Sequence, residues 1–103
     1  MTENQISTLI TEIRADYQIP PYLSDDVIRR SIEECAARLR QLKDDATFDD
    51  ADMTGKMLLK NYVYYSIYHK TEEFEHNYQQ MILSWQLSGQ SENTEDSEDE
   101  SGS

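Results

Sequence analysis

The chain has 103 residues, room for one domain, and carries nine Lys and Arg against 21 Asp and Glu, a formal charge of −12. Such a balance excludes nucleic-acid binding by phosphate neutralisation. Three glycines are too few for a nucleotide-binding βαβ domain, and no apolar run approaches the ~20 residues of a membrane span.

The charge is unevenly placed. Ser88 to Ser103 hold six acids and no base, which leaves Met1 to Leu87 with fifteen acids and all nine bases, a net −6. Residues 1–87 are therefore expected to fold as one helical domain, and residues 88–103 to form an acidic, low-complexity, disordered tail.

In chain order, the first segment is Thr2 to Tyr17. Ile6, Leu9, Ile10, Ile13 and Tyr17 fall on one stripe of an α-helix. Pro20 and Pro21 stop it and force Ile19 to be extended. Tyr22 and Leu23 are expected to tack this connector onto the body.

The second helix opens at Ser24, a capping residue, with Asp25 and Asp26 in the first turn, where the helix dipole favours negative charge. Ile28, Ile32, Cys35, Leu39, Leu42 and Ala46 follow at spacings of four and three, a heptad-like seam. Five of the nine basic residues (Arg29, Arg30, Arg38, Arg40, Lys43) lie on its remaining surface. They read as a solvated face with pairs such as Glu34–Arg38, or as a surface that meets an acidic neighbour.

Asp44 to Asp52 breaks the pattern. Its acids lack the spacing of a calcium loop. The segment reads as a loop anchored by an inward Phe48, with Asp49, Asp50 or Asp52 capping the next helix.

The third segment, about Ala51 to Lys70, is apolar in every direction around a helix, from Met53 and Met57 to Ile67 and Tyr68. Helix is preferred to strand because strict alternation is missing. A helix apolar all round must be buried all round, and 87 residues are too few to wrap it. One side is therefore expected to face a second subunit, with Tyr62, Tyr64, Tyr65, Ile67, Tyr68 and, from the last helix, Trp85 as candidate interface residues.

The fourth segment runs from Thr71, a candidate cap, to about Leu87, with Phe74, Tyr78, Met81, Ile82 and Trp85 on one stripe and Gly89 as its stop. The fold class is thus all-α, a small bundle of about four helices.

Chemistry-bearing motifs are sparse. Cys35, the lone cysteine, lies on an apolar seam and reads as a small core hydrophobe. It excludes an internal disulfide, and with an acidic, polar N-terminus the chain is expected to be made in a reducing cytoplasm. His69 and His76 are seven apart, wider than the spacing of helix metal ligands. No hydrolase elbow, phosphate loop or zinc-protease signature occurs. The reading is a non-enzyme with no catalytic, cofactor or metal residues.

Leu58 to Tyr65, Phe74, Asn77-Tyr78 and Met81-Ile82-Leu83-Ser84-Trp85-Gln86-Leu87, behind an early helix and an acid-capped seam helix, carry a resemblance. From about Leu9 to Leu87 the chain resembles the small head-tail connector, or head completion, proteins of long-tailed bacteriophages. The resemblance implies an α-helical adaptor that assembles as a ring, commonly of twelve, beneath the portal protein. Such a ring extends the DNA channel, retains the packaged genome and docks the next connector, stopper or tail protein. It implies a virion location at the head-tail interface after synthesis in the host cytoplasm, with DNA passing through unbound and no membrane partner. A negative lining suits a conduit, because it repels a sliding duplex within a Debye length of about 8 Å. The acidic tail and the Asp-rich loop depart from the family pattern. The other reading is a small acidic regulatory protein, a nucleic-acid mimic or inhibitor of a basic partner.

Overall fold

The structure, a computed structural model, describes the backbone of residues 1–94 and the side chains of residues 1–88. It is all-α: α1 (Glu3–Tyr17), α2 (Asp25–Leu42), α3 (Met53–Ile67), α4 (Thr71–Asn77) and α5 (Gln79–Thr94), with a 3-10 turn at Asp50–Asp52 ahead of α3. No strand occurs among the described residues, and no helix is long and apolar enough to cross a membrane.

Local chemistry explains the helix starts. The Thr2 hydroxyl accepts from Gln5 N at 3.1 Å and the Ser24 hydroxyl from Val27 N at 3.3 Å, each satisfying an orphan donor of a first turn. α1 buries Ile6, Leu9, Ile10 and Ile13; α2 buries Ile28, Ile32, Cys35, Ala36 and Leu39. α3 packs chiefly on α2, with α1, α4 and α5 around it.

Several details differ from the sequence reading. Ile19 anchors the first connector in the core while Tyr22 points to water; the Arg14 guanidinium binds the Leu23 carbonyl and Asp25, holding the turn without an aromatic plug. The α2 seam ends early. Leu42 is half exposed, and Ala46 is buried from the loop after the helix. The fourth segment is two helices, broken at Tyr78, whose ring stacks on Phe74 at 4.9 Å and whose hydroxyl donates to Asn61 Oδ1 at 3.2 Å. That anchorage turns the backbone out of register there. Thr71 is not a cap: Lys70 holds the cap position without a side-chain bond, behind His69 in the left-handed region. α5 continues past Gly89 to Thr94, because one interior glycine costs a helix only about 1 kcal/mol. The rest of the expected disordered tail, from residue 95, lies outside the described residues.

The junction before α3 is the most constrained point. Asp52 accepts four N–H groups. Oδ2 takes Thr47 N and Phe48 N, both at 3.1 Å, and Oδ1 takes Gly55 N at 3.2 Å and the Trp85 indole at 2.9 Å. Phe48 is fully buried with a positive φ of 58°, a conformation disfavoured for a bulky residue. It is held by the Asp52 carboxylate, by contact with Trp85, and by the Arg40 guanidinium 5.1 Å over its ring.

Gly55 follows from the same geometry. A Cβ there would overlap the Asp52 carboxylate, coming within 2.6 Å of Cγ. Two substitutions test this. Asp52→Ala should cost about 2–4 kcal/mol in urea denaturation, because the buried Trp85 and Phe48 donors lose their acceptor. Gly55→Ala should destabilise the native chain, yet stabilise the Asp52→Ala background by up to about 1 kcal/mol, the intrinsic helix gain. A glycine needed for any other reason would give the same sign in both.

Candidate functional site

The structure places the aromatic residues of α3 in a continuous set of ring contacts. Tyr62 stacks on Phe74 at 4.3 Å and Tyr64 on Tyr17 at 4.7 Å. Tyr64 meets Tyr65 and Tyr68 edge-on at 5.7 and 5.3 Å, and Tyr65 meets Phe74 and Tyr78. Six of the seven tyrosines belong to this set. Such pairs add about 0.5–1.5 kcal/mol each beyond area burial, so the fold covers much of α3 by itself.

This corrects part of the interface expectation. Tyr62 and Trp85 are core residues of the monomer and are not available to a neighbour. Tyr62 is sealed between α2 and α4, with its hydroxyl accepting from Arg38 at 3.3 Å; Trp85 is tied to Asp52. Tyr65 and Ile67 are half-buried and packed against the core.

What remains uncovered is a narrow stripe on the outward side of α3. Met53 is 60% exposed, Met57 44% and Tyr68 42%, with half-buried Tyr64 between them. Positions 53, 57, 64 and 68 recur at helical spacing and share a face. One flank carries Lys56 and Lys60. Lys60 pairs with Asp16 at 2.7 Å and Glu12 at 3.1 Å, and Lys56 pairs with Glu12 at 3.4 Å. The Lys60 hydrogen bond holds the Glu12 carboxyl below its ordinary range. Burial pulls the Lys60 ammonium down, but Asp16 and Glu12 more than offset it and leave it above its usual value. These pairs neutralise the flank and join α1 to α3. On the other flank Tyr78 binds Asn61.

Met53 and Met57 were not singled out from the sequence as interface residues. Their signal was the four-residue spacing opposite Leu58 and Leu59, masked by apolar residues on every side of the helix.

The remaining candidates sort simply. Four of the five basic residues on α2 and its C-cap serve the fold: Arg29 binds Glu3 through both oxygens, Arg40 donates to the Ala46 carbonyl and Lys43 pairs with Asp45, while Arg30 is exposed. Arg38 bonds to Tyr62 rather than to Glu34. His69 and His76 are both exposed, and no cluster of three or more metal-ligating side chains exists among the described residues. Cys35 is buried between α2 and α3, and burial pushes its thiol up to about 11, against the opposing influence of the Ser31 and Ser66 hydroxyls. Ser31 Oγ is itself buried without a hydrogen-bond partner; the neighbouring sulfur is only a weak acceptor.

The thiol makes a prediction with a definite sign. Its native pKa lies above the unfolded value, so its contribution is intact below about pH 8.5 and is lost as pH rises through about 11. The loss should be roughly 3 kcal/mol. Tyr17 and Tyr78, also raised by burial, act in the same direction above pH 10 or so. The difference in alkaline denaturation between the native chain and Cys35→Ala isolates the thiol, and equal pH slopes would refute its burial.

Comparison with family models, with curated proteins and with solved structures gives no match to this chain.

Proposed function

We propose that this chain is a structural adaptor of the phage head-tail connector type, a subunit that joins copies of itself into a ring beneath a portal protein. The observation that carries the proposal is the Met53–Met57–Tyr64–Tyr68 stripe: two apolar pairs on one face of α3, separated by the turn that holds Lys60 and Asn61, and left partly open on the helix that the rest of the fold is built around. Methionine adapts to irregular partner surfaces, and tyrosine tolerates a partly wet rim. The ring extends the DNA path and offers a platform to the portal on one side and to a downstream connector or tail protein on the other. The net charge of −12 suits a wall past which a duplex slides without binding. Copies of the same negative charge repel, so isolated subunits associate weakly and a template presenting many sites supplies the effective concentration.

The second reading, an acidic mimic or inhibitor, draws little from the Asp-rich loop. Asp52 is consumed by four internal donors, Asp49 accepts from Ala51 N, and Asp45 and Asp50 face Lys43 and Lys56.

Met57→Asp tests the adaptor reading. The side chain is half exposed, so helicity by circular dichroism should be retained. Self-association, or attachment to portal, should fall by roughly tenfold or more in sedimentation velocity, because a charge must enter an apolar contact. Tyr65→Asp is a poorer probe, since Tyr65 contacts Phe74 and Tyr78 and would damage the fold as well. Unchanged assembly by Met57→Asp would refute the role of the stripe.

A further inference from the structure

No glycine or proline occurs from Lys56 to Ser88, yet the chain reverses within that stretch. α3 ends at Ile67 with Tyr68 as its cap, His69 takes a left-handed φ of 59°, and α4 begins at Thr71. His69 N donates to the Ser66 carbonyl at 3.0 Å and Lys70 N to the Tyr65 carbonyl at 2.8 Å, the paired bonds of a Schellman turn. Glycine is the residue such a turn favours. Histidine tolerates it, and a β-branched residue is all but excluded. The first turn of α4 has no side-chain cap. Local chemistry therefore does not oblige the chain to turn here. Were residues 53–77 one helix, His69 would return to the ordinary helical region, and the N–H groups that open α4 would meet carbonyls from the last turn of α3.

The turn is held closed by the grip of an arm, α4 and α5, on the rest of the chain. Phe74 is fully buried and stacks on Tyr62 at 4.3 Å. Tyr78 donates to Asn61, Asn77 to Tyr65, the Trp85 indole to Asp52 and Gln86 to the Leu42 carbonyl. All these partners lie in residues 42–65, on α2, on α3 or in the loop between them. The arm holds no Lys or Arg, and among the described residues no ion pair fastens it to the body. α1, α2 and α3 pack on one another independently of it.

We infer that two copies of this chain exchange their arms. In the exchanged dimer α3 and α4 of each chain run on as one helix through residues 68–70, and each arm sets Phe74 and Trp85 against Tyr62 and Asp52 of the other copy. The occupant of the vacated site is fixed by identity: the second copy carries the same arm and remakes each contact that was released, so only the turn changes. Exchange of an identical element is a low-cost route to a dimer. Detaching an arm uncovers Phe74 and Trp85, so the two forms interconvert slowly. The inference goes beyond the adaptor reading and does not rest on it, because the exchange uses neither Met53 nor Met57.

The test uses the full chain. At millimolar concentration it is warmed to its unfolding midpoint, cooled and passed over a sizing column. A dimer is expected that persists on dilution, since separation requires both arms to detach. A second preparation, from equal amounts of carbon-13-labelled and unlabelled chain, reads which copy supplies the arm. In an isotope-filtered NOESY spectrum the Tyr62–Phe74 ring contacts should appear between labelled and unlabelled chains. Two substitutions at the turn supply the sign. His69 is exposed, so neither disturbs the core. His69→Gly, which suits the turn and weakens a continuous helix, should lower the dimer yield by about threefold or more; His69→Val, which the turn rejects and a helix accepts, should raise it by a similar factor. The exchange is overturned by the absence of a dimer from both the native chain and His69→Val, by a dimer whose Tyr62–Phe74 contacts stay within each chain, or by equal yields from all three chains. Each of these failures leaves the adaptor reading to its own test, Met57→Asp.

Discussion

The Asp52 carboxylate joins pieces of chain that have no other common point. It ends the loop after α2 by holding Thr47 N and Phe48 N, starts α3 by holding Gly55 N, and fastens α5 by holding the Trp85 indole. A charged acceptor serving several N–H donors is stronger than neutral bonds of the same number. Around it the sequence is shaped to fit. Gly55 has no Cβ because the carboxylate fills that space. Phe48 tolerates a left-handed backbone because its ring is wholly enclosed. Gln5, from α1, donates to both the Thr47 and Phe48 carbonyls, so the first helix is tied to the same loop. One side chain therefore sets the relation of α1, α3 and α5, and with it the direction in which the outward side of α3 points.

The second organising feature is the way a small chain covers an apolar helix. α3 carries apolar residues on every side, and its partners supply aromatic rings rather than bulk. Tyr17 from α1, Phe74 from α4 and Tyr78 from between α4 and α5 stack against its tyrosines. Ring stacking covers large area with few residues and little side-chain entropy, which suits a domain with little chain to spare. The tyrosine hydroxyls find Arg38, Asn61 and Asn77 at the edges, so the rings are buried without stranding their polar ends. What this device leaves open is a line of two methionines and two tyrosines. The openness is thus a remainder of the monomer's own packing.

Acidity gives the adaptor reading its physical character. Most acids of the described residues either pair with bases that tie helices together or remain in water. Few are concentrated as a site. The chain holds its own shape through Arg14–Asp25, Arg29–Glu3 and the Lys56–Lys60 cluster. These exposed or half-exposed pairs each contribute modestly. On the adaptor reading we propose, the surplus negative charge acts at a distance, keeping like chains apart in dilute solution and a passing duplex off the wall.

The sequence by itself determined the fold class, the positions of α1 and α2, the cap at Ser24, an aspartate cap for α3 from among Asp49, Asp50 and Asp52, the inward Phe48 and the burial of Cys35. All are local signals: apolar periodicity, capping chemistry and turn residues act within a few positions of one another. Tertiary structure alone decided which side of α3 is open, because apolar residues on every side of a helix carry no phase. It likewise decided that Tyr62 and Trp85 belong to the core, since their partners Phe74 and Asp52 lie 12 and 33 residues away. The break at Tyr78 and the anchoring of Ile19 in place of Tyr22 also follow from distant contacts. Periodicity records how much of a helix is greasy; only the neighbours that fold against it determine which part stays dry.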